Sequence, residues 1–148
     1  AEGVPGMVRM AQVYAEMARP AGIDVNVVVT PAESYWDDVW LKKPIVTSAW
    51  SMRPPGEGLA VAYVQTAKWK ETHWERPDYD ALLQSANTTV DAAARMDLFK
   101  QAGKLLATEG GLILPMFVHQ VLALQTGCTG YTPLAQNFNL NFENLICE

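Results

Sequence analysis

The order of patterns along this chain predicts an α/β fold, a mixed sheet flanked by helices. Three observations carry that expectation. Two short β-branched runs, "IDVNVVV" at 23–29 and the strand at 45–50 within "PIVTSAW", each follow a helical pattern. The resulting order of helix, strand, helix, strand implies a layered structure with some parallel pairing. A length of 148 residues with 49% hydrophobic composition is enough for one core, burying roughly two thirds of the surface that the unfolded chain exposes.

The first helix is read from Met7, Met10, Ala11, Tyr14 and Met17, which share one face, and it stops at Pro20 and Gly22. In "TPAESYWDDVWLKK", Thr30 is placed as N-cap, Pro31 at the first helical position and Glu33 for a capping box. "SMRPPGEG" reads as a loop, because Pro54, Pro55, Gly56 and Gly58 interrupt regular structure, and a short helix is expected over 59–65. Pro77–Ser85 should be helical with Tyr79, Leu82, Leu83 and Ala86 inward. Val90–Thr108 should follow with Phe99, Ala102, Leu105 and Leu106 inward, ended by Gly110 and Gly111. "LILPMFV" (112–118), "VLALQ" (121–125) and the alternating "NFNLNFE" (137–143) read as further strands.

Composition narrows function. Eleven basic residues against sixteen acidic ones give a net charge of −5, with no Lys or Arg cluster to track phosphates, so nucleic acid is not an expected partner. No apolar run approaches the ~20 residues of a membrane span. The pattern of a signal peptide is not found in these residues, and an exported chain would begin after one. Cys128 and Cys147 are near enough in sequence to bridge. A bridge would close a loop of about 20 residues, worth roughly 3 kcal/mol by chain entropy, and would imply an oxidising compartment; the alternative is two unpaired buried thiols.

Catalytic and cofactor motifs are not apparent. His73 and His119 are far apart and outside any metal-binding spacing, so neither a metal nor a cofactor is expected. No serine lies in a G-x-S-x-G elbow. Asp37 and Asp38 are neighbours on a helix and so point apart, while Asp78 and Asp80 sit in a first helical turn, where negative charge suits the helix dipole. What remains are aromatic loops. Ligands of open α/β sheets lie beyond the carboxyl ends of strands. At that position the 45–50 strand ends in Trp50, followed by Ser51, Met52 and Arg53. A second loop, "KWKETHWERPDYDALL", adds Trp69, Thr72, His73 and Trp74. Together these eight residues supply the apolar lining and sparse polar groups of a binding pocket; the competing reading is that the tryptophans plug the end of the core.

Three segments taken in order, "AGIDVNVVVTPAESYWDDVWLKKPIVTSAW", "WKETHWERPDYDALL" and "AARMDLFKQAGKLLATEGGLILPMFV", resemble the extracellular solute-binding proteins of the peptide, nickel and opine class that serve ABC importers. The resemblance implies a lobe of a type II periplasmic-binding-protein-like fold, two lobes closing on a small solute. Residues 1–118 would form most of the second lobe, and 119–148 a tail returning toward an absent first lobe. It also implies a bacterial periplasmic or extracellular location, a membrane permease as partner and no catalysis. A lobe on its own would tend to self-associate through its uncovered apolar face. Peptide-binding members carry an acidic residue three positions after the strand-ending tryptophan, whereas this chain has Arg53 there. An arginine repels an ammonium and can hold a carboxylate, so the resemblance points to an anionic, opine-like solute rather than an ordinary peptide; the competing reading is that Arg53 faces solvent or pairs with Glu57. Two rivals need no such lobe: a carbohydrate-binding module stacking sugars on tryptophan, and a small hydrolase pairing a histidine with a serine.

Overall fold

The computed structural model describes residues 3–118, 121, 123–132 and 142–148. Helix α1 spans Met7–Ala18 and continues into a 3-10 turn at Arg19–Ala21, where Pro20 removes a backbone donor and Gly22 turns out with φ 78°. Its buried ends are Met7 and Ala18, while Met17 is 75% exposed. The stripe therefore runs 7, 10, 11, 14, 18, as a 3.6-residue period requires, and not through 17. Helix α2, Ala32–Asp38, begins one residue later than the capping pattern placed it. Pro31 occupies the N-cap position, and the buried Thr30 hydroxyl has no hydrogen-bond partner among the described residues.

Helix α3 forms at Pro55–Ala60, earlier than the expected 59–65, within the stretch read as a loop. Proline at the first helical position is pre-set for helical φ, and Pro55 provides it. Gly56 allows close packing: a side-chain carbon there would lie 3.2 Å from the Phe99 ring, which would have to shift slightly. Helices α4, Pro77–Thr88, and α5, Ala92–Glu109, pack as an antiparallel pair. The Asp91 carboxylate caps α5 by accepting from the Ala94 amide at 2.7 Å. Gly111, at φ 68°, supplies the left-handed residue after α5 that most side chains avoid.

The main core joins α3, α4 and α5 through Tyr63, Tyr79, Leu83, Ala102 and Leu106, with Trp50, Trp74 and Phe99 packed against it. Tyr79 is fully buried, and its hydroxyl donates to the Leu59 carbonyl at 2.6 Å. A smaller cluster of Met7 and Tyr35 is covered by Val4, Val39 and Trp40.

The expected lobe of a type II periplasmic-binding-protein-like fold, a mixed sheet flanked by helices, is not what forms. Among the described residues the only ladder is a two-stranded antiparallel pair, β1 at Cys128–Thr129 and β2 at Ile146–Cys147, clasped by a disulfide between Cys128 and Cys147. Residues 23–29, 45–50 and 112–118 carry neither helix nor ladder. A β-branched run favours strand geometry only when a neighbour supplies hydrogen bonds and covers one face. Here Val28 is 72% exposed, Ile45 85% and Phe117 83%. The expected strand over 121–125 forms no ladder in its described residues, and most of 137–143 lies outside the described residues. No helix is long and apolar enough to cross a membrane among the described residues.

The packing around Tyr79 sets an expected ordering of defects. Tyr79→Phe should lower stability by about 1 kcal/mol, the worth of one internal hydrogen bond. Leu83→Ala should cost about 2–5 kcal/mol by leaving a cavity. Urea unfolding curves followed by circular dichroism would check both; equal losses would mean that the buried hydroxyl contributes as much as the Leu83 contact and would overturn this ordering.

Candidate functional site

The site is built around one carboxylate. Glu71, half-buried, accepts from the Trp40 indole N–H at 2.7 Å and the Ser48 hydroxyl on Oε1, and from the Trp50 indole N–H at 2.9 Å on Oε2. The Tyr63 hydroxyl approaches Oε2 more distantly, at 3.5 Å. These donors come from the turn after α2, the 45–50 segment and the turn after α3, so a single acceptor fixes three separate parts of the chain. Among the described residues no Lys or Arg forms an ion pair with Glu71.

With their indole N–H groups held at Glu71, Trp40 and Trp50 join Trp69 in a tilted three-ring cluster. The ring centres are 6.3 Å apart for Trp40–Trp50 and Trp40–Trp69, and 5.8 Å for Trp50–Trp69. Trp36 meets Trp40 edge-to-face at 5.3 Å. Together with Ser48, Ala49 and Arg53 these four tryptophans line a cavity of about 280 Å³. Trp36 and Trp69 keep 38% and 36% of their surface exposed at its rim. Such an arrangement offers ring faces, a guanidinium and a half-buried hydroxyl to a small molecule.

The eight residues expected at the site divide. Trp50, Arg53 and Trp69 line the cavity. Arg53 lies 5.2 Å from the Trp50 ring centre, donates to the Glu57 carboxylate at 2.8 Å and reaches the Ser51 carbonyl at 3.3 Å. Met52 is 64% exposed, and neither it nor Ser51 is part of the cavity wall. Thr72 lies beside Gly111. His73 is exposed and takes a left-handed conformation at φ 49°, a reversal that carries the chain out of the cavity wall and into the approach to α4. Trp74 consequently faces the other way: it meets Tyr79 at 5.1 Å in the main core and is flanked by Arg76 at 5.9 Å. The two tryptophans of "KWKETHW" thus have opposite roles, one in the cavity wall and one in the core. His119 lies outside the described residues.

Glu71, Trp36, Trp40, Ser48 and Ala49 were not anticipated as site residues. For Trp36 and Trp40 the signal was present in "WDDVW", whose i, i+4 spacing sets both rings on one side of a helical turn. For Glu71 there was none, since its donors arrive from 8 to 31 residues away in sequence. Among the described residues no group of His, Cys, Asp or Glu is arranged to hold a metal ion.

Burial raises the pKa of both Tyr63 and Tyr35 above the ordinary phenol value, and the negative charge of Glu71 adds to the rise in each. Compared with protein-family models, curated protein sequences and solved structures, the chain matches none.

Two outcomes follow from this geometry. Trp74→Ala should lower stability by about 3 kcal/mol, as expected for emptying a core position, while Trp69→Ala should cost less than half as much; denaturant midpoints of the two variants would show the contrast, and equal costs would make both tryptophans core residues. The tyrosines set the alkaline limit. Their folded pKa values lie above the unfolded value of about 10, so the folded state holds more protons there and stability falls as pH rises past 10. Stability measured from pH 8 to 11 should be level at first and then decline, and Tyr63→Phe should flatten the decline.

Proposed function

We propose that this chain is a solute-capturing module, the wall of a cleft in the binding component of a bacterial ABC importer, which takes up a small solute and presents it to a membrane permease. The single observation that carries the reading is the cavity of about 280 Å³ walled by four tryptophans, two of which donate to Glu71 behind them. Clustered aromatic rings with a few fixed polar groups bind and orient; they do not by themselves transfer protons or form covalent intermediates. The Ser48 hydroxyl, an obvious nucleophile in the wall, donates to the Glu71 carboxylate, and among the described residues it has no histidine partner.

The ordered resemblance of three segments to solute-binding proteins supports the same reading, and so does the uncovered apolar surface. Val29, Ile113, Phe117 and Val118 are 59%, 62%, 83% and 81% exposed. A partner surface would bury part of it, and without one it would favour self-association. The bridge between Cys128 and Cys147 suits an exported protein. A sugar-binding module is the second reading, favoured specifically by the ring faces of Trp36 and Trp69 at the rim.

The test is made on the native product in its source cell. The importer reading expects release by osmotic shock and a mass several times the 16.3 kDa of this chain. A cytoplasmic product of 16.3 kDa would overturn it. Retention of the isolated chain on an immobilised neutral polysaccharide, lost in Trp69→Ala, would establish the sugar-binding reading instead.

A further inference from the structure

We propose that the tryptophan cavity selects an organic cation, an alkylated ammonium group or its equivalent, and that Glu71 is the residue that makes it selective. The inference rests on the cavity being a solute site, as argued above, and adds the charge of the solute.

The charges at the cavity do not cancel. Arg53, the cation in its wall, is held by Glu57 at 2.8 Å and by the Ser51 carbonyl at 3.3 Å, so its charge is already matched. Glu71 is not matched among the described residues: its partners there are two indole N–H groups, a serine hydroxyl and, more distantly, a phenol, all neutral. The wall therefore retains one negative charge behind its tryptophans. Aromatic faces attract cations through their quadrupole, most strongly for tryptophan, and several rings around one small space form the arrangement that recognises quaternary ammonium groups. An indole whose N–H donates to an anion is polarised toward the ring, which makes its face more negative still. Trp40 and Trp50 both donate in this way to Glu71.

The chain's own cations already respond to these faces. The Arg53 guanidinium carbon is 5.2 Å from the Trp50 ring centre, and the Lys68 ammonium is 5.9 Å from that of Trp69. Trp36 and Trp40 complete the wall, and among the described residues no Lys or Arg is seated on either ring. An anionic solute would have to displace Glu57 from Arg53 while approaching Glu71. A cationic solute needs neither step. The positive group that Arg53 was read as repelling is therefore the group the assembled cavity favours.

The experiment titrates the full chain with tetramethylammonium chloride, following tryptophan fluorescence against sodium chloride at matched ionic strength. Parallel titrations use sodium acetate and glucose. Saturable quenching by tetramethylammonium alone, weakened about tenfold or more in both Glu71→Gln and Trp69→Leu, is expected. Glu71→Gln keeps an acceptor but removes the charge, and Trp69→Leu tests the wall if the Glu71 variant does not fold. Saturable binding of acetate or glucose that Trp69→Leu weakens, without a tetramethylammonium response, would overturn the cation assignment and leave the solute site standing. No saturable response to any of the three would overturn both. Equal tetramethylammonium binding in wild type and Glu71→Gln would remove Glu71 from the selectivity.

Discussion

The convergence of Trp40, Ser48 and Trp50 on the Glu71 carboxylate is the constraint on which the rest of the site depends. A half-buried carboxylate without a cationic partner is costly unless its lone pairs are filled, and hydrogen bonds to an ionised acceptor are roughly twice as strong as neutral ones. Glu71 therefore acts as a clamp. It draws the turn after α2 and the 45–50 segment against the turn that carries Trp69, in a region where no sheet fixes their positions. The rings cannot rotate freely without breaking a charge-assisted bond, so the cavity wall is held in place before any ligand arrives.

The helices were legible because their information is local. The faces of α4 and α5 follow from Tyr79, Leu83 and Ala86 and from Ala102 and Leu106, all of which are buried. Boundaries were less legible where proline competes with other signals. Pro54 and Pro55 look like punctuation in sequence, yet Pro55 starts α3 because the missing donor is one that a helix start does not use. The sheet was misread for a different reason. "IDVNVVV" records a preference for strand geometry, but a ladder depends on a neighbour, and the sequence of a segment says nothing about whether one stands beside it. The same limit applies at the site. Trp50, Arg53 and Trp69 were visible as unusual residues in loops, whereas Glu71 acquires its role only through donors brought from distant parts of the chain. The reversal at His73, which sends Trp74 into the core, is a backbone event that residue identity did not disclose.

Uncovered apolar surface is the structural cost of this arrangement. In a folded chain scattered exposed apolar residues are ordinary, but runs of them in irregular segments, such as Ile113, Leu114, Met116, Phe117 and Val118, are not. They lie just after Leu112, which still packs against the main core. Packing on the main core reaches Leu112, and the described chain continues with side chains that are largely exposed. The disulfide between Cys128 and Cys147 adds stability of another kind, by limiting the freedom of the unfolded loop it closes.

A single wall sets a limit on what the cavity can do. Sites that bind small molecules tightly enclose most of the ligand surface, because affinity comes from what remains after the entropy of immobilising the ligand is met. Trp36 and Trp69 remain more than a third exposed, so a ligand resting here would still face water on one side. The interactions already present favour one kind of second surface. Ring faces backed by an unmatched carboxylate gain strength when water is excluded, since the dielectric around them falls. A covering surface would therefore strengthen cation binding beyond the contacts it adds itself. That coupling gives the open, pre-held tryptophan wall a physical reason to work with a partner that closes over it.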